Sequence, residues 1–101
     1  MQANVVATGE FTEIRLEGTF DMNTHRDFRD AVILALKNDS PEIRVSLREV
    51  SYIDSSALGM LLMLREMAEK AGRQVSLAGA NGAVLRALQF AKLDTVFKIL
   101  A

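Results

Sequence analysis

Residues 50–64 read Val50-Ser51-Tyr52-Ile53-Asp54-Ser55-Ser56-Ala57-Leu58-Gly59-Met60-Leu61-Leu62-Met63-Leu64, and an apolar run from Ile43 to Leu47 precedes them. Asp and Ser are favoured at helix N-caps because their oxygens accept hydrogen bonds from the unpaired N–H groups of the first turn. We therefore expect Asp54, Ser55 and Ser56 to lie where a helix begins, with at least one hydroxyl facing solvent. The positive end of the helix dipole would also tolerate a phosphate there.

The helix predicted after these residues runs from about Ser56 to Ala71 and ends at Gly72, a residue type favoured just beyond a helix C-terminus. Leu58 and Leu62 fall among its charged residues, so two interpretations stay open. Either a neighbouring element covers them, or they form an exposed apolar patch for a partner. Gly59 predicts close approach of another backbone, from this domain or from a partner. The inward face is predicted to comprise Ala57, Met60, Leu61, Leu64, Met67, Ala68 and Ala71.

Two strands and a helix are predicted upstream. Ala3–Ala7 and Phe11–Gly18 are expected to form a hairpin around the turn Thr8-Gly9-Glu10. Gly18–Met22 is predicted to be a loop, and Asn23 or Thr24 to cap the next helix. Asn38-Asp39-Ser40-Pro41 would end that helix, because Pro cannot continue it. Its inward face is predicted to comprise Phe28, Ala31, Val32, Ala35 and Leu36.

Downstream, the alternation of apolar and polar residues predicts strands at Glu42–Leu47 and Gln74–Ala78. Asn81-Gly82 opens a last helix, and residues 93–100 close with a short strand or an apolar tail. The order β-β-α-β-α-β-α-(β) predicts an α/β fold, with a mixed sheet of four to five strands and about three main helices. We expect a single domain over residues 1–101. The inward residues of the last helix are predicted to be Val84, Leu85, Leu88 and Ala91.

The composition excludes several classes of function. The net charge of −1 and the scattered basic residues argue against nucleic-acid binding. The absence of cysteine and the single histidine leave no metal-ligand pattern, and no cofactor is expected. The N-terminus lacks the pattern of a signal peptide, and no apolar run reaches the length of a bilayer span. These features predict a cytoplasmic protein without direct membrane insertion.

The motif Asp54-Ser55-Ser56-Ala57-Leu58-Gly59 resembles that of the STAS domain (sulphate transporter and anti-sigma factor antagonist), as found in free-standing bacterial anti-sigma factor antagonists. Gly18-Thr19-Phe20-Asp21 resembles the family's Gly-x-x-Asp loop, and residues 84–99 resemble its closing helix and apolar tail. The resemblance covers the whole chain. Ala57 replaces the family's glycine, and Gly82 and the region of Lys92 also depart from its pattern, but no departure removes a hydroxyl.

This resemblance implies a non-enzymatic regulator that switches between partners. A serine kinase that doubles as an anti-sigma factor would phosphorylate Ser55, with Ser56 as the alternative site, and a PP2C-type phosphatase would remove the phosphate. The unphosphorylated form would bind that kinase and release the sigma factor. We expect a monomer or a weak dimer. The partner-contact residues would be Asp21, Asp54, Ser56, Leu58, Gly59 and Leu62.

Two alternatives remain. The first is a STAS subunit of an ABC-type lipid transport complex, which would bind the ATPase subunit of that complex without phosphorylation. The second is an esterase that uses Ser55 or Ser56 with His25. The Gly-x-Ser-x-Gly elbow that often signals such an enzyme is absent, and His25 is expected to be solvated.

Overall fold

A five-stranded mixed sheet forms the centre of the computed structural model, which describes residues 1–101. The strands lie in the order β1-β2-β3-β4-β5; β2 pairs antiparallel with β1, and the other neighbours pair parallel. Parallel pairing follows from the helices that connect successive strands. The strands are β1 (Gln2–Ala7), β2 (Phe11–Phe20), β3 (Glu42–Ile53), β4 (Gln74–Ala78) and β5 (Lys98–Leu100).

Three α-helices and two short 3-10 turns connect the strands. The helices are α1 (His25–Leu36), α2 (Ser55–Lys70) and α3 (Gly82–Phe90), and the 3-10 turns are Met22–Thr24 and Leu93–Thr95. The predicted α/β class and order of elements are therefore confirmed, and of the two alternatives left open for residues 93–100 the structure shows the short strand, β5. None of the helices combines the length and apolar character needed to cross a bilayer.

The core lies between the sheet and its helices. Alternate residues of β2 and β3, such as Ile14 and Val45, are fully buried, as the period of a half-buried strand requires. At the end of β2 the ring of Phe20 lies 4.8 Å from that of Phe28 on α1, measured between centroids. This contact joins the last residue of β2 to the helix that follows, and so positions the loop between them.

β2 and β3 are both longer than predicted, so the ends assigned to them at Gly18 and Leu47 are wrong. Beyond Ser46 and Ala78, where β3 stops pairing with β4, β3 continues to pair with β2 as far as Phe20 and Ile53. Two register shifts interrupt this part of the ladder. They break the alternation of apolar residues that marks a strand in sequence, and this explains the early ends.

Helix α2 lies within one residue of its predicted bounds, and Gly72 adopts the positive φ of 71° that favours glycine after a helix. Most of its predicted inward face is buried, but Ala71 is exposed. Ala91, predicted to face inward from α3, is exposed as well. Both alanines lie one residue past their helices, where the chain turns away from the core.

Candidate functional site

Two aspartates lie side by side where β2 and β3 end. Phe20 and Ile53 are paired in the ladder, and each is followed by an aspartate, Asp21 or Asp54. The backbone N–H of Asp54 donates to the carbonyl oxygen of Phe20 at 3.2 Å. The sheet thus brings together the Gly-x-x-Asp loop and the Asp-Ser-Ser motif, which are more than 30 residues apart in the chain. Both aspartates predicted to contact a partner lie at these strand ends.

Asp21 caps the 3-10 turn that leads into α1. Its Oδ1 accepts a hydrogen bond from the N–H of Asn23 at 2.9 Å, and its own N–H donates to Oγ1 of Thr24 at 2.9 Å. This reciprocal pair is a capping box. Thr24, one of the two residues predicted to cap α1, occupies its N-cap position, but the Thr24 side chain makes no capping hydrogen bond to that helix. Asp21 is held in place by these bonds and is half-buried.

Asp54 caps α2 and ties it to the loop after β2. Its Oδ1 accepts from the N–H of Ala57 at 2.9 Å and from the hydroxyl of Ser56 at 2.7 Å. Its Oδ2 accepts from the N–H of Met22 at 3.2 Å. The Ser56 hydroxyl, followed by the N–H groups of Ala57 and Met22, lowers the pKa of the Asp54 carboxyl below its usual value. The carboxylate is therefore ionised at neutral pH and fixes the geometry of the junction.

The two serines of the motif differ in the engagement of their hydroxyls, although both residues are exposed. The Ser56 hydroxyl donates to Asp54, whereas the Ser55 hydroxyl makes no hydrogen bond within the protein. Ser55 is also the first residue of α2, at the end of the helix that favours negative charge. Of the two hydroxyls, that of Ser55 is the one available without breaking an existing bond.

The predicted apolar patch on α2 is partly exposed. Leu62 retains 42% of its surface, whereas Leu58 is half-buried and packs against the core. Gly59 is exposed, and a Cβ at that position would meet no atom within 4 Å. The prediction that another backbone of this domain approaches Gly59 closely is therefore wrong. The prediction that a partner's backbone approaches it remains a prediction. We call Leu58, Gly59 and Leu62 the α2 patch.

An apolar groove of about 260 Å³ lies between the start of α1 and the start of α2. Of its lining residues, Met22 is 71% exposed, while Met60 is only 5% exposed. Reasoning from sequence missed Met22 as a surface residue, although an apolar side chain directly after the Gly-x-x-Asp motif was a signal that could have found it. We call this the methionine groove; its lining residues are Met22, His25, Ser56, Gly59, Met60 and Met63.

His25 is exposed, as predicted, and lines the methionine groove together with Ser56. The Ser56 hydroxyl donates to Asp54 and forms no hydrogen bond with the imidazole of His25. The hydrogen-bonded nucleophile and base of a hydrolase are therefore not assembled here. No group of three or more His, Cys, Asp or Glu residues is placed to hold a metal ion.

Comparison with known proteins identifies the family. The family model described as "Mlab, STAS domain" matches residues 3–101. A STAS-domain containing protein of Pseudomonas aeruginosa (strain UCBPP-PA14) is 40% identical over 93 residues, which cover 92% of this chain and 91% of that protein.

Solved structures share the fold. An anti-sigma factor antagonist from Mycobacterium paratuberculosis superposes with a TM-score of 0.87 at 19% identity, covering 98% of this chain and 84% of that one. The phosphorylated form of the Bacillus cell fate determinant SpoIIAA gives a TM-score of 0.72 at 21% identity, covering 98% and 91%. With the family match over nearly the whole length, these comparisons show that the chain belongs to the STAS domain family.

Proposed function

We propose that this protein is an anti-sigma factor antagonist in a partner-switching pathway, with Ser55 as its phosphoacceptor. The observation that carries the proposal is the contrast between the two serine hydroxyls. Ser55 is exposed and unbonded at the start of α2, whereas Ser56 donates to Asp54 at 2.7 Å. The structural likeness to anti-sigma factor antagonists supports it, because a fold that serves this function elsewhere is present here.

Phosphate at Ser55 would change binding through local charge. A phosphoserine carries about −1.5 to −2 charges at neutral pH and adds three acceptor oxygens. It would adjoin the Asp54 carboxylate, and Asp21 lies on the neighbouring strand end. The resulting acidic surface would repel a partner that carries its own carboxylates, while the dipole of α2 would keep the phosphate compatible with the fold.

The unphosphorylated protein would bind an anti-sigma factor that is also a serine kinase, and phosphorylation by that kinase would release it. A PP2C-type phosphatase would restore the binding form. In this scheme Asp21, Asp54 and Ser56 form the polar side of the contact surface, and the α2 patch forms its apolar side. None of these roles requires the protein to catalyse a reaction.

The test is the intact mass of the protein purified from its native cells, followed by tandem mass spectrometry to locate any phosphate. We expect a mass increase of one phosphate that maps to Ser55. The Ser55→Ala variant should lose it, and the matched Ser56→Ala variant should retain it. Phosphate on Ser56 alone, or none in any growth phase, would contradict the proposal.

A STAS subunit of an ABC-type lipid transport complex is the second candidate. It is favoured by the exposure of Leu62 beside Gly59, because that surface could dock an ATPase subunit without any phosphate. Co-purification of an ATPase subunit with unmodified protein would favour transport. Leu62→Asp should then abolish that co-purification, and Ile33→Asp on α1, similarly exposed at 45%, should not.

A further inference from the structure

We propose that the methionine groove, together with the neighbouring depression that contains Arg26 and Arg29, binds an acidic amphipathic helix of the protein's partner. Apolar side chains of that helix would enter the groove, and its carboxylates would meet Arg26 and Arg29. The inference rests on the proposed function, which it deepens by stating the chemistry of the partner segment.

The groove has an apolar lining suited to helix recognition. Met60 is buried, Met63 is half-buried and Met22 is exposed, and a Cβ at Gly59 would meet open space. Methionine is flexible and polarizable, and it is common on surfaces that adapt to different apolar side chains. A concave apolar surface between two helices is a typical site for the apolar face of a third.

The charge next to the groove indicates the sign of the occupant. A second depression shares Met22 and His25 with the groove and is otherwise lined by Asn23, Arg26, Arg29 and Asp30. Neither arginine forms an ion pair, although Asp27 and Asp30 lie on the same helix. By contrast, the four ion pairs of the protein involve Arg15, Arg44, Arg65 and Lys70.

Two exposed arginines without carboxylate partners can pair with a bound segment without first breaking an internal contact. The depression contains one carboxylate, that of Asp30, against these two guanidinium groups, so its charge remains positive. Complementary charge at the edge of an interface raises the association rate and rejects partners of the wrong sign. Acidic side chains therefore fit the end of the surface that carries Arg26 and Arg29, whereas the Asp54 carboxylate, bonded to Ser56 in the groove lining, marks the opposite end.

The position of the groove also agrees with the direction of the switch. Ser56 and Gly59 line the groove, and Ser55 directly precedes them at the start of α2. Phosphate on Ser55 would repel an acidic occupant and would attract a basic one. Phosphorylation of Ser55 would therefore weaken the binding of an acidic helix.

The test is selection from a displayed library of 18-residue helical peptides with Leu, Phe or Ala at the inward positions and Glu, Lys or Gln at the outward positions. We expect the full-length protein to enrich Glu over Lys. Binding of the selected peptides should shift the methyl NMR signals of Met22, Met60 and Met63 and spare those of Met1 and Met67. Enrichment of Lys, absence of any enrichment, or shifts confined to Met1 and Met67 would overturn the proposal.

Charge variants provide the matched control. The double variant Arg26→Gln/Arg29→Gln should bind the selected acidic peptides about tenfold more weakly. Lys37→Gln/Arg86→Gln, which removes the same charge from exposed positions that line neither depression, should bind them unchanged. Far-UV circular dichroism establishes that both variants are folded. Equal weakening in the two double variants would show a general charge effect and would overturn the proposed role of the groove.

The peptide selection and the mapping of phosphate in cells fail independently. If acidic peptides bind the groove but no phosphate is found on Ser55, the proposed docking surface is supported and the proposed phosphorylation switch is contradicted. If phosphate is found on Ser55 but acidic peptides are not selected, the proposed switch is supported and the proposed docking surface is contradicted.

Discussion

The carboxylate of Asp54 performs three tasks with two oxygens. It caps α2 at Ala57, holds the hydroxyl of Ser56, and accepts from the backbone N–H of Met22 across the strand ends. One side chain therefore sets the start of the helix, leaves Ser55 as the free hydroxyl, and anchors a residue that lines the methionine groove. Its charge contributes to all three interactions, because hydrogen bonds to an ionised acceptor are stronger than those to a neutral one.

Replacement of Asp54 by Asn should lower the urea midpoint of unfolding at pH 7. Asn keeps one oxygen for the Ala57 N–H but loses the charge and the second acceptor. The lowered pKa of Asp54 means that the ionised carboxylate stabilises the folded state. This contribution is present above the ordinary Asp pKa of about 3.9 and is lost as pH falls through the lowered folded value. The difference between wild type and Asp54→Asn should therefore shrink in acid.

Urea unfolding from pH 7 to pH 2 measures that difference, with the exposed Asp39→Asn variant as the control. Glu42 also contributes to the pH dependence of stability, because hydrogen bonds from Ser76 and Arg44 outweigh its burial and lower its pKa. Since Glu42 is present in every protein compared, its contribution cancels in the difference. A difference for Asp54→Asn that stays constant down to pH 2 would show that the charge of Asp54 does not stabilise the fold.

The turn that follows β4 lies in close contact with β3. Gly79 has a φ of 75°, and a Cβ there would lie 2.9 Å from Cβ of Arg48 and 3.2 Å from its backbone. Gly72, which follows α2, has a similar φ of 71° but faces open space. The two glycines therefore share the conformational requirement, and only Gly79 also needs the absence of a side chain. The close passage lies where β3 leaves β4 and continues toward the candidate site.

Gly79→Ala should destabilise the protein more than Gly72→Ala. Both variants place Ala at positive φ, which costs about 1–2 kcal/mol. Gly79→Ala also forces Arg48 to move, which should cost about 1–3 kcal/mol more, as overpacking does. Urea unfolding of the two variants isolates the contact, because the conformational cost is common to both. Equal free energies of unfolding would mean that β3 shifts without resistance.

Arg73 links the end of α1 to the start of β3 and β4. Only 8% exposed, it donates from Nε to the carbonyl oxygen of Ser40 at 2.6 Å, from Nη1 to that of Ala35 at 3.1 Å, and from Nη2 to Oγ of Ser40 at 3.0 Å. No carboxylate pairs with it. The negative end of the α1 dipole and these oxygens take the place of a counter-ion.

Arg73→Met should lower the free energy of unfolding by about 2 kcal/mol. The buried carbonyl oxygen of Ser40 loses its donor, and that of Ala35 keeps only backbone N–H donors such as that of Asn38. Arg86→Met, on the exposed face of α3, should stay within about 0.5 kcal/mol of wild type. Denaturant unfolding at pH 7 measures both. A loss for Arg73→Met no larger than that for Arg86→Met would show that water satisfies the carbonyl group of Ser40.

In the whole molecule, the two ends of the parallel strands have different roles: the candidate site lies at one end, and the structural hydrogen bonds of Arg73 lie at the other. Asp21, Asp54 and the start of α2 lie where the parallel strands end, and Ser40 and Arg73 lie where β3 and β4 begin. In α/β sheets, ligands bind beyond the carboxyl ends of the strands. The Arg73 hydrogen bonds are therefore separated from the candidate site by the length of the strands. A change of charge at Ser55 would leave them undisturbed.

Phosphorylation of Ser55 should leave the fold intact. We expect stoichiometrically phosphorylated protein and the Ser55→Asp variant to show unchanged far-UV circular dichroism and a cooperative melt, with a Tm within about 4 °C of wild type. The reason is that Ser55 is exposed, makes no hydrogen bond, and lies at the positive end of α2. Leu64→Asp, which places a charge at a fully buried position of the same helix, should abolish cooperative melting. Loss of cooperativity on phosphorylation would show instead that the switch acts by unfolding.

Local patterns predicted much of the fold, because they depend on residues within one or two turns of each other. The period of α2, the cap at Asp54 and the stop at Gly72 are properties of neighbouring residues, so they could be predicted to within one residue. Asp54, Ser55 and Ser56 were recognisable as a local capping pattern, whereas Asp21 was assigned to the site only by its resemblance to the family's Gly-x-x-Asp loop. The ends of β2 and β3 were not, because register shifts between strands interrupt the apolar alternation.

The sequence by itself thus determined the order of the elements, the α/β class and the residue types at the start of α2. Only the tertiary structure decided that Asp54 bonds Met22, that Ser56 is engaged while Ser55 is free, and that Met22 and Met63 line the same groove. It also decided that Arg73 is buried among carbonyl oxygens. The physical reason is that each of these features joins residues from different elements, and no local period or capping preference records which elements will meet.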